Sequence, residues 1–203
     1  MRHITFDLST MHEHGSAFFD YLGLRKRFFV DILKWDIPHN DKFEMDQYDN
    51  PTAWYSLCIH EGEVIGGTRV MPTTARWGKH SYMLKDAREG VLDSIPHDAM
   101  PSDIISPYVW EMTRLVISPD LRRAEDRARC LQYVGQGLYD IAEAQNVSEY
   151  MGISAVALIR VLRQLGFPLE RMGTPYHDTA DRRNYTVMRM PVHFQNQRLL
   201  AAE

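Results

Sequence analysis

Ten consecutive residues, Tyr108 to Ile117 (YVWEMTRLVI), constrain this chain more than any other stretch. The run is nearly all apolar, aromatic or β-branched and carries the strongest strand signal in the sequence. Yet Glu111 and Arg114 stand in its middle. Burying either charge alone costs on the order of several kcal/mol, so each needs a partner. Arg69 sits in the same way inside the apolar run Glu63–Met71. The acids Glu44, Asp46 and Asp49, close together in a polar stretch, are natural partners for Arg25, Arg69 and Arg114. Two readings are open: a structural ion-pair network, or a functional cluster of perturbed groups. Strand alternation places Glu111 and Thr113 on one face and Arg114 on the other, unless a bulge intervenes.

The elements around this strand follow from periodicity. Residues 16–32 read as an amphipathic helix with Arg25, Lys26 and Arg27 on its wetter side. Residues 38–52 read as a loop. A hairpin is expected from Trp54–His60 and Glu63–Met71 around Glu61-Gly62, with Gly66-Gly67 marking a bulge or a close backbone approach. Residues 76–107 should hold a short helix between long loops. Ser118-Pro119-Asp120 looks like the start of a helix running to residue 145. A strand over 148–153, a helix capped by Ser154 and stopped at Gly166, and a last strand through Val187 and Arg189 complete the order. This is an α+β arrangement, a mixed and largely antiparallel sheet flanked by helices, and one domain spanning 1–203.

The chain has 203 residues with a formal net charge of −4, which gives no electrostatic reason to expect nucleic-acid binding. No apolar run has the length of a membrane span, and Met1–Thr10 lacks the apolar centre of a signal peptide, so a cytoplasmic location is expected. Cys58 and Cys130 fit no metal or redox spacing and read as buried thiols. No HExxH, GxSxG, GxGxxG or GxxxxGK[ST] pattern occurs, so no metal site is expected and hydrolase and nucleotide-fold readings lack support.

The charged positions fall within pieces that resemble one family, the acyl-homoserine lactone synthases of the autoinducer-synthase type. Leu24-Arg25-Lys26-Arg27-Phe28-Phe29 with Trp35-Asp36 resembles the family's R-x-x-x-F…W signature, and Glu44-Met45-Asp46-Gln47-Tyr48-Asp49 its E-x-D-x-Y-D segment. Gly66–Thr74 (GGTRVMPTT), Tyr82-Met83-Leu84 and Trp110-Glu111-Met112-Thr113-Arg114 resemble its G-x-x-R-x-x-x-T-T, Y-M-L and W-E-x-S-R pieces. The pieces cover residues 20–117 in order. The sequence departs from the family at Asp86-Ala87-Arg88, where phenylalanine is frequent, and at Thr113 and Leu115, where serine and phenylalanine are frequent.

The resemblance implies a GNAT-like N-acyltransferase fold. It implies transfer of an acyl group from acyl carrier protein or acyl-CoA to the amine of S-adenosylmethionine, then lactonisation with release of methylthioadenosine, with no cofactor besides these substrates. By motif position it assigns Glu111, Arg114 and Arg69 to catalysis, with Glu111 as candidate base. Arg25, Phe29, Trp35, Asp46, Asp49 and Thr113 go to S-adenosylmethionine. Met112, Met151, Ser154 and Leu158 are expected to line an acyl pocket between the sheet and the C-terminal helices. Arg122, Arg123, Arg127, Arg160 and Arg163 are candidates for docking an acidic carrier, or simply a solvated helix face. The competing reading is a GNAT-type acetyltransferase that uses acetyl-CoA on another amine. A non-catalytic domain that kept the fold is a further alternative, and oligomeric state is open.

Overall fold

A computed structural model describes residues 1–179 and 181–192. Eight strands form one sheet in the order β1-β2-β3-β4-β5-β8-β6, with β7 also pairing β8. They are β1 (Arg2–Asp7), β2 (Trp54–His60), β3 (Glu63–Pro72), β4 (Val109–Ile117), β5 (Glu149–Ala155), β6 (Glu170–Arg171), β7 (Tyr176–Asp178) and β8 (Arg183–Pro191). Only the β4–β5 pair is parallel. The helices are α1 (Ala17–Arg25), continued by a π-helical segment (Lys26–Ile32), α2 (Met83–Arg88), α3 (Ala124–Gln145) and α4 (Val156–Gln164).

The two faces of the sheet carry different helices. Leu131 and Leu138 of α3 and Ile159 and Leu162 of α4 pack with Val70, Trp110, Met112 and Met188. On the other face Phe18, Tyr21 and Leu22 of α1 pack with Tyr55, Leu57 and Val116. Beside them Met83 and Leu84 of α2 pack with Met71, Met151 and Val187. The β2–β3 hairpin stands where expected, with left-handed backbone at Glu61 and Gly62. Gly66-Gly67 is a close approach: a Cβ at Gly66 would lie 2.4 Å from Cys130 Sγ of α3. Both cysteines are buried free thiols. No helix among the described residues is long and apolar enough to cross a membrane.

Three expectations change. The helix from residue 16 turns π-helical at Lys26, and Arg25 is fully buried rather than on the wetter side; Lys26 and Arg27 alone face outward. Hydrophobic periodicity cannot reveal that one member of a basic triplet meets an acidic loop. The long helix starts at Ala124, not at Ser118. Residues 118–123 form turns instead, held by Asp120 pairing Arg27 and by the Arg127 guanidinium on the carbonyls of Leu121 and Arg122. Ser154 is the penultimate residue of β5 and does not cap α4, whose N-cap is Ala155. Gly166, with φ +90°, follows the end of α4 as expected.

Two irregularities in the sheet shape the site. The first is a bulge in β4. Gly67 pairs Val116 while Arg69 pairs Thr113, so β4 carries one extra residue opposite Thr68. Arg114 absorbs it with φ +57°. The disturbed carbonyls are satisfied by side chains: Thr68 Oγ1 donates to Thr113 O (2.9 Å) and Tyr21 Oη to Arg114 O (2.8 Å). The second is a splay. β4 and β5 pair at Val109–Glu149, Trp110–Tyr150 and Glu111–Met151, and no further pairs follow. Beyond that point the sheet opens.

Candidate active site

Three arginines and three acids interlock on the α1 side of the sheet. Glu44 accepts from Arg25 Nε (2.5 Å) and Arg114 Nε (3.2 Å). Asp49 accepts a fork from Arg25 Nη1 and Nη2 (2.8 and 2.9 Å) and lies 2.9 Å from Arg69 Nη1. Asp46 joins Arg69 Nη1 (2.5 Å) to Arg114 Nη2 (2.8 Å). The acidic loop delivers all three carboxylates because its backbone is tied down. Glu44 N donates to Leu22 O of α1, Asp46 N to Asp49 Oδ2, and Tyr48 N to Asp46 Oδ1. The charges balance, as burial requires. Burial alone would raise the carboxyls of Asp46 and Asp49. The guanidiniums of Arg69 and Arg114 hold Asp46 below the usual carboxylate range, and those of Arg69 and Arg25 hold Asp49 well below it.

The bulge overturns simple alternation. With one extra residue in β4, Arg114 turns to the same side as Glu111 and Thr113, where it meets Glu44 and Asp46. Thr113 Oγ1 accepts from Arg69 Nε at 3.1 Å.

Glu111 stands apart from the network. Its oxygens accept the backbone N–H groups of Met83 (2.7 Å) and Leu84 (2.8 Å), at the start of α2. It is 1% exposed. Burial raises its carboxyl to about 7, against the opposing pull of those two N–H groups and of Arg69. A carboxyl that exchanges its proton near neutrality suits a general base.

A cavity of about 1320 Å³ threads the splay between β4 and β5 and is lined from both faces of the sheet. On the α1 side its wall holds Phe29, Trp35, Asp46, Glu111, Thr113 and Arg114. Phe29 and Trp35 stack at 4.8 Å and 20°, and the Arg114 guanidinium lies 5.7 Å from the Phe29 ring. On the α3–α4 side the wall is apolar, with Leu115, Ile117, Leu131 and Leu158. Ser154 faces this part, and its Oγ is the one buried side-chain polar atom without a hydrogen-bond partner among the described residues.

The sequence-assigned residues thus divide. Arg25, Asp49 and Arg69 are fully or nearly buried and do not line the cavity; they hold the acids and Arg114 in place. Of the expected acyl-pocket residues, Ser154 and Leu158 line the cavity, but Met112 and Met151 do not. Met112 packs under α3, and Met151 is sealed beside Tyr82 and Met71. Strand alternation alone could not tell which face the splay exposes. Of the five arginines expected to dock a carrier, Arg127 and Arg160 reach the cavity wall, and Arg122, Arg123 and Arg163 do not. Arg123 pairs exposed Glu125, and Arg163 Nε donates to Leu169 O. Two further contributors were given no role from the sequence: Tyr48, which lines the cavity, and the β7–β8 hairpin, whose Tyr176 and Tyr185 close one side. Tyr48 is the tyrosine of the E-x-D-x-Y-D segment, whereas no motif marks the hairpin.

The parallel pair opened beside an otherwise antiparallel sheet, with a buried acid at the opening, defines a GNAT-like N-acyltransferase fold. Residues 9–200 match the sequence pattern of the autoinducer synthases, and the chain belongs to that family. Acyl-homoserine-lactone synthase of Aliivibrio fischeri is 27% identical over 176 residues, 86% of each chain. The crystal structure of TofI in a ternary complex with an inhibitor and MTA is similar, with a TM-score of 0.76 and 23% identity over 100% of this chain and 98% of that one. So is a CoA-dependent acyl-homoserine lactone synthase, BjaI, solved with SAM and isopentyl-CoA, at TM-score 0.74 and 18% identity over 97% and 85%. Among the described residues no group of three or more His, Cys, Asp or Glu is placed to hold a metal.

Proposed function

We propose that the protein acylates the amine of S-adenosylmethionine from an acyl thioester and closes the product to an N-acyl-homoserine lactone, releasing methylthioadenosine. The observation that carries this reading is the single cavity that joins an ionic and aromatic lobe to an apolar lobe across Glu111. The related structures with SAM, MTA and isopentyl-CoA support the choice of substrates.

The ionic lobe suits a small zwitterion that also carries a sulfonium. Arg114 faces the methionyl carboxylate, Asp46 the ammonium, and the Phe29–Trp35 stack the sulfonium and adenosyl group. Arg25, Asp49 and Arg69 keep the fork of Arg114 and the carboxylate of Asp46 oriented. Glu111, directly or through one water, takes a proton from the ammonium. The freed amine attacks the thioester carbonyl, and an unpaired backbone N–H on the opened β4–β5 edge stabilises the oxyanion. The C–S bond then breaks, and the thiolate leaves with a proton as thiol. In the second step the methionyl carboxylate oxygen attacks its own γ-carbon, the bond from that carbon to sulfur breaks, and neutral methylthioadenosine departs. The sulfonium is already an activated leaving group, so the enzyme supplies conformation rather than a cofactor.

The acyl chain occupies the apolar lobe, where Ser154 Oγ offers a hydrogen bond to an oxygen substituent. The thioester carrier, a carrier protein or CoA, approaches past Arg127 and Arg160, with Arg122 and Arg123 on the flanking turn. Both substrates are metabolites of the cytoplasm, and we place the protein there. The test is incubation of purified protein with S-adenosylmethionine and a panel of acyl carrier and acyl-CoA thioesters. Mass spectrometry should show methylthioadenosine and a lactone in equal amounts. Absence of methylthioadenosine with every donor would overturn the reading, and acylation of another amine from acetyl-CoA would replace it with the acetyltransferase alternative.

A further inference from the structure

Trp35 is held from across the cavity. Its backbone N–H donates to Phe29 O at 3.0 Å, in a stretch, residues 33–38, without regular structure beyond the π-helical end. Its indole Nε1 donates to Asp181 Oδ2 at 2.9 Å. Asp181 lies 146 residues further along the chain, in the turn that joins β7 to β8. The same Oδ2 accepts the Tyr185 hydroxyl, and Oδ1 accepts Arg183 N at 3.0 Å. Trp35 and Tyr185 meet edge-to-face at 6.2 Å. Burial alone would push the Asp181 carboxyl up, but the hydrogen bonds from Tyr185, Trp35 and the Arg183 amide hold it below the usual range, so it is ionised at neutral pH. Asp181 itself does not line the cavity, whereas Trp35, Tyr185 and Arg183 do.

An indole at the end of an irregular segment has two side-chain torsions to fix. The stack on Phe29 leaves it free to slide and spin in the plane of the rings; a directional hydrogen bond from Nε1 removes that freedom. A charged acceptor makes the bond stronger than a neutral one. From this geometry we propose that Asp181 is a positioning residue for the sulfonium substrate, acting through Trp35 to fix the aromatic wall of the ionic lobe. The proposal rests on the reading above that this lobe takes S-adenosylmethionine. It makes Asp181, in the β7–β8 turn, part of one substrate's subsite although Asp181 does not line the cavity. Positioning of this kind acts on one substrate. The acyl donor, bound in the apolar lobe, should not sense it.

The test is steady-state kinetics of the intact chain with both substrates varied, on Asp181→Ala, Asp181→Asn, Trp35→Phe and the double variant Asp181→Ala/Trp35→Phe. Losing a charge-assisted bond predicts a rise in KM for S-adenosylmethionine of about tenfold or more in Asp181→Ala, with kcat and the donor KM within about twofold of wild type. Asp181→Asn, which keeps an acceptor oxygen for the indole N–H, should recover most of that rise. In Trp35→Phe, which keeps an aromatic ring but has no N–H, adding Asp181→Ala should change KM by less than about twofold. The proposal is overturned if Asp181→Ala leaves the S-adenosylmethionine KM unchanged, if it moves both KM values and kcat together, or if its effect is undiminished in the Trp35→Phe background. Failure of the wild type to form methylthioadenosine would instead sink the function reading, and direct titration of S-adenosylmethionine into wild type and Asp181→Ala still tests the positioning role.

Discussion

Replacing Glu111 with Gln separates two consequences of one buried carboxyl. Gln keeps the size and one acceptor oxygen, but its amide turns N–H toward one of the backbone N–H groups of Met83 and Leu84 that the carboxylate now accepts. Loss of the base should lower kcat/KM by about 10²- to 10⁴-fold. In the wild type the base must be ionised, so kcat/KM should rise with pH until about 7 and then level. The residual activity of the variant should lack that inflection. Stability gives an independent readout. The carboxyl is raised from 4.5 to about 7 on folding, so the folded chain holds the extra proton across that window. Its contribution is complete below the unfolded value and is lost as pH rises through 7, a loss of about 3 kcal/mol. Urea unfolding at pH 5 and pH 8 should therefore show wild type losing about 2.5 kcal/mol more stability than Glu111→Gln, since part of the loss precedes pH 5. Equal pH dependence of the two unfolding free energies would refute the raised carboxyl. A variant with unchanged kcat/KM would refute its role as base.

Other perturbations test the surrounding parts. Arg25→Ala leaves Glu44 and Asp49 short of a buried partner and should cost about 3–5 kcal/mol, read as a melting temperature lower by about 10 °C or more. Arg114→Lys keeps the charge but loses the fork between Glu44 and Asp46; KM for S-adenosylmethionine should rise about tenfold while the melting temperature moves little. Ser154→Ala should lower the preference for donors with an oxygen at carbon 3 over unsubstituted ones by about fivefold, measured by competition between the two thioesters. A Cβ at Gly152 would stand 2.2 Å from Met112 O, so Gly152→Ala should push β4 from β5 at the splay and lower both stability, by roughly 2 kcal/mol, and turnover.

The site was legible in the sequence to the extent that charge on apolar elements announces it. Glu111, Arg114 and Arg69 were conspicuous because strands so apolar do not bury charge without partners, and three close acids lay together in one polar loop. That logic gives the pairing but not the depth. It could not show that Arg25 and Arg69 stand behind the wall while Arg114 faces the cavity. Depth depends on where the sheet opens, and the splay leaves no local signature; Met112 and Met151 were misassigned for the same reason. The bulge was invisible too, because its carbonyls are satisfied by Thr68 and Tyr21, ordinary residues far from it in sequence. Asp181 lay in a polar turn, where an aspartate signals nothing.

A strand with one residue too many is normally described as a flaw in pairing. Here the surplus residue is what lets a cation and an acid three positions apart look in the same direction. Shortening the strand by one, for instance by deleting Leu115, would give a tidier ladder against β3 and swing the Arg114 guanidinium to the opposite side of the sheet. Such a chain should fold as a more regular scaffold that has forgotten its chemistry. Transplanting the site into another protein therefore means copying the miscount along with the side chains.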